Sequence, residues 1–174
     1  MKLGATDIED QFRATADELL LNIDVLWDGS FNSSIAIVGE GPGETEVKRG
    51  LPWVGGAGKM LFDTLSRYKI QREKAFVTNV VKRQISLSRK GGEKHAVGRD
   101  ELDKWIGLLK WELSQMPNLR TVFVMGNTAL EALLGVTGIL NWRGSVVEAD
   151  LPNGKKGQVV CTINPAYAIQ ERKM

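Results

Sequence analysis

The chain has 174 residues, 43% hydrophobic and 25% charged, with nineteen glycines, one cysteine, one histidine and a formal net charge of +2. That composition is ordinary for one globular domain and excludes disordered and collagen-like chains. A lone Cys161 beside a lone His95 excludes an internal disulfide, a Cys/His zinc site and a cysteine-bound cluster, so no cofactor is expected. The N-terminus lacks the apolar core of a secretion signal and no run approaches about 18 apolar residues. The expectation is a cytoplasmic protein with no membrane partner. A charge of +2 is too small to announce a nucleic-acid partner, so the distribution of charge must decide.

In chain order, residues 5–22 place Ile8, Phe12, Ala16, Leu19 and Leu20 on one face of a helix. Ser34 to Gly39 is a short apolar run ending in glycine, the pattern of a strand buried on both faces. It delivers the chain into a segment with seven glycines from Gly39 to Gly58 inclusive, interrupted by Pro42 and Pro52. Such a segment is built for unusual backbone angles and close approach. A helix from about Gly56 to Tyr68 follows, burying Met60, Leu61, Thr64, Leu65 and Tyr68, and Ala75 to Val81 is a second buried strand. From Lys82 to Arg99 six Lys/Arg stand against Glu93 alone, so the modest total conceals a concentrated basic patch. Leu102, Trp105, Ile106, Leu109, Leu113 and Met116 share a helical face closed by Pro117.

Thr121 to Met125 is a third strand, Asn127 to Leu134 a helix ended by Gly135, and Val159 to Ile163 a fourth strand. Val146-Val147 and the Asn153-Gly154 turn suggest a short antiparallel strand leading into it. Strands alternating with helices predict an α/β fold, a three-layer α/β/α sandwich on a mostly parallel four-stranded sheet. Residues 1–174 read as one domain without repeat or linker. Ligands of such sheets sit beyond the carboxyl ends of the strands, which directs attention to the loops after Gly39, Val80 and Ile163.

Two nucleotide motifs fit poorly. In Gly39-Glu40-Gly41-Pro42-Gly43 the last glycine of a dinucleotide fingerprint falls at Glu44, and the acids there would repel a pyrophosphate. Gly58-Lys59 lacks the Ser/Thr of a phosphate loop, having Met60, and Trp53 stands at its preceding glycine position.

The ordered series Gly39 to Glu46 (GEGPGETE), Gly50 to Gly58 (GLPWVGGAG), Val77 to Lys82 (VTNVVK), Val124 to Ala129 (VMGNTA), Arg143-Gly144 and Asn164-Pro165-Ala166 resembles the uracil-DNA glycosylase superfamily. It is most similar to the family-four iron–sulfur branch and its uracil-crosslinking relative. The resemblance covers residues 34–168 and implies base flipping followed by hydrolysis of an N-glycosidic bond. It implies that Glu40 holds the attacking water, that Trp53 stacks on the flipped base beside Gly41, and that Asn79 reads the O4/N3 edge of uracil. Asn164 stands where the resembled branches have His-Pro, and its amide can still donate to the departing base. The competing readings are a solvated loop carboxylate for Glu40, a core tryptophan for Trp53 and a strand-end turn for Asn79. None of the four cluster cysteines of family four is present.

The basic loop predicts DNA contacts through Lys82, Arg83, Arg89, Lys90 and Lys94, with Arg143 joining them, against the alternative of a solvated loop. Its Arg89, Gly91, Gly92, Lys94 and His95 echo the loop whose histidine is captured covalently in the crosslinking branch, which makes His95 a candidate for the same chemistry. The expected partner is uracil-containing DNA, single- or double-stranded, bound by a monomer. The chain stops eight residues after Ala166, where the resembled family continues, which suggests a domain cut from a longer chain such as a polymerase-associated phage protein. The rival readings are a non-catalytic sensor of uracil or a modified base, and a glycosylase for a hypermodified pyrimidine.

Overall fold

The computed structural model describes residues 4–85 and 97–171. Helix α1 (Ala5–Glu18) leads to β1 (Ile35–Gly39), α2 (Glu44–Arg49) and α3 (Gly56–Ser66), and a 3-10 turn at Arg72–Lys74 enters β2 (Phe76–Asn79). Then come α4 (Arg99–Ser114), β3 (Thr121–Met125), α5 (Asn127–Leu134), α6 (Ile139–Trp142), β4 (Val146–Asp150), β5 (Lys156–Thr162) and α7 (Pro165–Glu171). The sheet order is β2-β1-β3-β5-β4, parallel except for β4, which runs antiparallel to β5. Among the described residues no helix is long and apolar enough to cross a membrane.

Alternation along the central strands divides the core into two layers. Ala36, Val38, Phe76, Val122 and Val124 pack with Phe12 of α1, Trp105 and Leu109 of α4, and Leu130 of α5. On the other face Ile37, Val77 and Met125 pack with Leu61 and Leu65 of α3 and with Trp53. The α/β/α sandwich is thus as the strand–helix alternation predicts, with one difference: among the described residues the sheet has five strands. The short strand suggested at Val146-Val147 extends to Asp150 and pairs with β5 over five residues. Its apolar signal is diluted because it is an edge strand, with Val147 and Ala149 half-buried and Val146, Glu148 and Asp150 exposed.

Two predicted helices end early. After Glu18 the chain turns at Leu20, whose φ of 59° is left-handed and whose side chain is 89% exposed, and Leu21 takes the buried place instead. Helix α3 stops at Ser66, leaving Tyr68 exposed, while Thr64 lies on the outer face of the helix itself.

The strand order sets the site. From β1 the chain steps outward to β2, then returns past β1 to β3, so the connections diverge between β1 and β3. In a doubly wound sheet a crevice opens at that switch point beyond the carboxyl ends. Glu40 follows β1 there and Gly126 follows β3.

Candidate nucleobase site

Glycine at position 39 lets two side chains meet over the end of β1. A Cβ there would lie 2.3 Å from Cζ2 of Trp53 and 2.5 Å from Oδ1 of Asn79, closer than atoms can pack. Trp53 is held from several directions. Its indole Nε1 donates to the Thr78 carbonyl at 3.2 Å, and Arg72 donates to the carbonyls of Trp53 and Pro52 at 3.1 and 2.7 Å. Arg72 is itself anchored to Asp28 at 2.8 Å. Gly58 admits the Trp53 carbonyl, which would stand 1.9 Å from a Cβ. The backbone of Trp53 is left-handed, φ 57°, a strained state for a bulky residue that these contacts impose.

Glu46 organises the same loop. Its carboxylate accepts the backbone N–H groups of Gly43, Val54 and Gly55 at 3.2, 3.1 and 2.7 Å. A carboxylate placed this way ties α2 to the start of α3.

Glu40 continues the β1 ladder by accepting Val81 N–H at 2.9 Å through its carbonyl, which leaves its side chain on the cavity wall. Gly41 lies against Ile85, with a Cβ position 3.1 Å from that side chain. Asn164 precedes α7 and accepts the Ala166 N–H at 2.9 Å through Oδ1. With Oδ1 so used, Nδ2 is the part of the amide left to donate.

Glu40, Gly41, Trp53, Asn79, Ile85 and Asn164 line one cavity of about 110 Å³. That is well under the roughly 300–1,000 Å³ of sites for drug-sized ligands and suits a single small ring. A second cavity of about 330 Å³ adjoins it at the switch point, lined by Asn127, Thr128, Leu140 and Tyr167 and sharing Glu40 and Asn164. Leu140 and Tyr167 are exposed there, 61% and 45%. A larger cavity, about 620 Å³, lies at the amino-terminal end of the sheet among Gly4, Trp27, Phe31 and Pro117, with no ionisable side chain in its lining.

The structure therefore brings together five of the residues singled out in the sequence: Glu40, Gly41, Trp53, Asn79 and Asn164. The basic group behaves differently. Lys82 is fully buried, its Nζ 2.6 Å from Glu112 Oε2, so it cannot meet a phosphate and its assignment to a DNA surface is corrected. The side chain turns inward over the Phe12 ring, 5.5 Å from its centroid. Burial pushes the Lys82 ammonium down and the Glu112 carboxyl up, each opposed by the charge of the other. Arg83 is half-buried and donates to both oxygens of Glu101 at 2.7 and 2.9 Å. Arg143 is exposed, directly after α6. Arg89, Lys90, Lys94 and His95 lie outside the described residues.

Sequence reading missed Arg72, Glu112, Leu140 and Tyr167, and it placed Glu46 in the motif beside Glu40 without its role in binding backbone N–H groups. Only Glu112 left a signal: Trp105, Leu109, Glu112 and Met116 follow the 4-3-4 spacing of a buried stripe, with an acid inside it.

The fold and the small cavity define an α/β domain with a ring-sized cavity beyond its strand ends. A family profile described as the uracil DNA glycosylase superfamily matches residues 26–174. A type-4 uracil-DNA glycosylase of Thermotoga maritima is 32% identical over 150 residues, covering 85% of this chain and 72% of that protein. Its counterpart in Archaeoglobus fulgidus is 30% identical over 147 residues, 81% of this chain and 69% of that protein. Another, from Pyrobaculum aerophilum, is 31% identical over 111 residues, 64% of this chain and 53% of that one. The chain belongs to the uracil DNA glycosylase superfamily.

The iron–sulfur cluster of the resembled branch does not fit these residues. Such a cluster takes four thiolates, whereas Cys161 is the single cysteine and is buried within β5. Among the described residues no group of three or more His, Cys, Asp or Glu side chains could hold a metal ion.

Proposed function

We propose that this protein excises uracil from DNA by hydrolysing its N-glycosidic bond. The observation that carries the reading is the convergence of Glu40, Trp53, Asn79 and Asn164 on one ring-sized cavity beyond the strand ends. The flipped base lies on the Trp53 ring. Asn79 donates to O4 and accepts from N3–H through its carboxamide, a pattern that the amino group of cytosine does not match.

At the mouth, Glu40 orients a water toward C1′ of the sugar and takes its proton as the new C–O bond forms. The C1′–N1 bond breaks, its electron pair leaves with the base, and the Asn164 Nδ2 donates to the uracil anion until solvent protonates it. Arg143, and the wider cavity with exposed Leu140 and Tyr167, meet the DNA on either side of the flipped nucleotide.

The test is incubation with uracil-containing single- and double-stranded oligonucleotides, followed by alkaline cleavage and a denaturing protein gel. Alkali-labile ends are expected, and Glu40→Gln is expected to remove turnover while keeping DNA affinity. A slow-migrating protein lost in His95→Ala would instead indicate covalent capture. Binding without either product, or full turnover in Glu40→Gln, would overturn the reading.

A further inference from the structure

The mechanism leaves a buried ion pair unused, Lys82 with Glu112, and its lysine touches the base-reading residues. The Lys82 ammonium contacts three oxygens: Thr78 Oγ1 at 2.5 Å, the Asn79 carbonyl at 2.6 Å and Glu112 Oε2 at 2.6 Å. Both charged side chains are fully buried, Glu112 reaching in from α4. The carbonyl of Thr78 is the acceptor for the Trp53 indole. Lys82 therefore grips the two residues, Thr78 and Asn79, from which the recognising amide projects and the stacking ring hangs.

Stability is a poor reason for such a pair. Taking two charges out of water costs several kcal/mol, and apolar side chains of like volume often serve as well or better. What the pair supplies that an apolar substitute cannot is a directed grip on the Asn79 carbonyl, at the end of β2. The chain turns away there: the Val80 and Val81 N–H groups complete the ladder to Gly39 and Glu40 at 2.8 and 2.9 Å. Beyond them the Lys82 carbonyl accepts from Asp24 and Val25 at 3.0 and 2.9 Å, so both ends of the lysine are pinned.

We propose that the Lys82–Glu112 ion pair is a positioning device for base recognition, holding the Thr78–Asn79 backbone so that the Asn79 amide and the Trp53 ring stay in register across Gly39. Lys82 and Glu112 touch no substrate and act through Asn79 and Trp53. The inference rests on the reading of the small cavity as a uracil site.

The experiment compares the wild type with the double variant Lys82→Met/Glu112→Leu, which removes both charges at similar volume, and with the milder Glu112→Gln. The first readout is the side-chain amide pair of Asn79 in the 15N–1H NMR spectrum, assigned by its loss in Asn79→Asp. The second is kcat, KM and the affinity for the same oligonucleotide carrying an abasic site. In the double variant the Asn79 pair is expected to shift or broaden. Its kcat on uracil DNA falls roughly 10- to 100-fold, the scale of displacing a positioned group, while abasic-site affinity stays within about twofold. Glu112→Gln gives the same pattern in smaller measure, and carries the test alone if the double variant does not fold.

An unmoved Asn79 signal, or kcat within about twofold of wild type, overturns the proposal, as does an equal loss of turnover and abasic-site affinity, which would mark general loosening. If the wild type releases no uracil, the glycosylase reading fails and the Asn79 signal decides the positioning role by itself.

Discussion

Replacing Gly39 by alanine probes the point on which the site converges. The new Cβ would stand 2.3 Å from Trp53 Cζ2 and 2.5 Å from Asn79 Oδ1, where unstrained carbon contacts are about 3.5–4.0 Å. Each neighbour must withdraw by about 1 Å. Neither can do so cheaply, because the indole is bonded to Thr78 and its backbone is clamped by Arg72. Overpacking of this kind costs about 1–3 kcal/mol. At about 2–4 °C per kcal/mol for a chain of this size, a central cost of about 2 kcal/mol lowers Tm by about 4–8 °C. Activity should fall further than stability, since both base-reading groups move together and a 1 Å misplacement costs on the order of 100-fold in rate. Thermal melting monitored by circular dichroism and uracil release from an oligonucleotide measure the two effects. Gly107→Ala is the matched control, because it adds the same methyl on an exposed turn of α4 with nothing within 4 Å. It should raise stability by about 0.5–1 kcal/mol with activity unchanged. A Gly39→Ala protein with Tm within about 2 °C and kcat/KM within about twofold of wild type would refute the reasoning.

Glu46→Ala removes the acceptor for three backbone N–H groups and is expected to cost about 2–4 kcal/mol in urea denaturation, together with uracil excision; a loss under about 0.5 kcal/mol would show that the loop holds without it. The Glu101 carboxyl is held below the usual carboxylate range, chiefly by the hydrogen bonds from Arg83 and with help from Trp105, against a partial burial that raises it. A depressed folded-state value contributes stability above the unfolded value of ~4.3 that disappears as pH falls through the folded one. Glu101→Gln should therefore lower stability at pH 7 and flatten its decline below about pH 5, as followed by urea midpoints across pH; an unchanged acid limb would contradict the assignment. Asn164→Ala should reduce kcat while sparing affinity for abasic DNA, because its Nδ2 is assigned to the leaving base, and a change confined to KM would remove that role.

Much of the molecule was legible before folding was considered. Short apolar strands alternating with amphipathic helices determined the sandwich, and glycines and prolines after Gly39 marked the loop that builds the site. The motif order named Glu40, Gly41, Trp53, Asn79 and Asn164, and these converge because Glu40 and Gly41 follow β1, Asn79 ends β2, Asn164 follows β5, and the loop before α3 carries Trp53 to the same end of the sheet. Local pattern also misled. Leu20 and Tyr68 sit in helical register yet are exposed, since the helices end before reaching them. The edge strand β4 shows only half an apolar stripe because one of its faces meets solvent.

Charge was least readable. A lysine at the head of a basic stretch looks like a phosphate contact, and nothing in its neighbours distinguishes Lys82 from Arg83 or the cations that follow. Only tertiary structure decided it, by bringing Glu112 on α4, thirty residues later, to within 2.6 Å inside the core. The physical reason is general: periodicity reports which face of an element is buried, whereas the partner of a charge and the direction of a carboxylate such as Glu46 depend on which elements become neighbours. The sequence by itself determined the scaffold and the chemistry available to it, and the approach of Glu112 on α4 to the end of β2 decided that Lys82 lies inside the core and not on the surface.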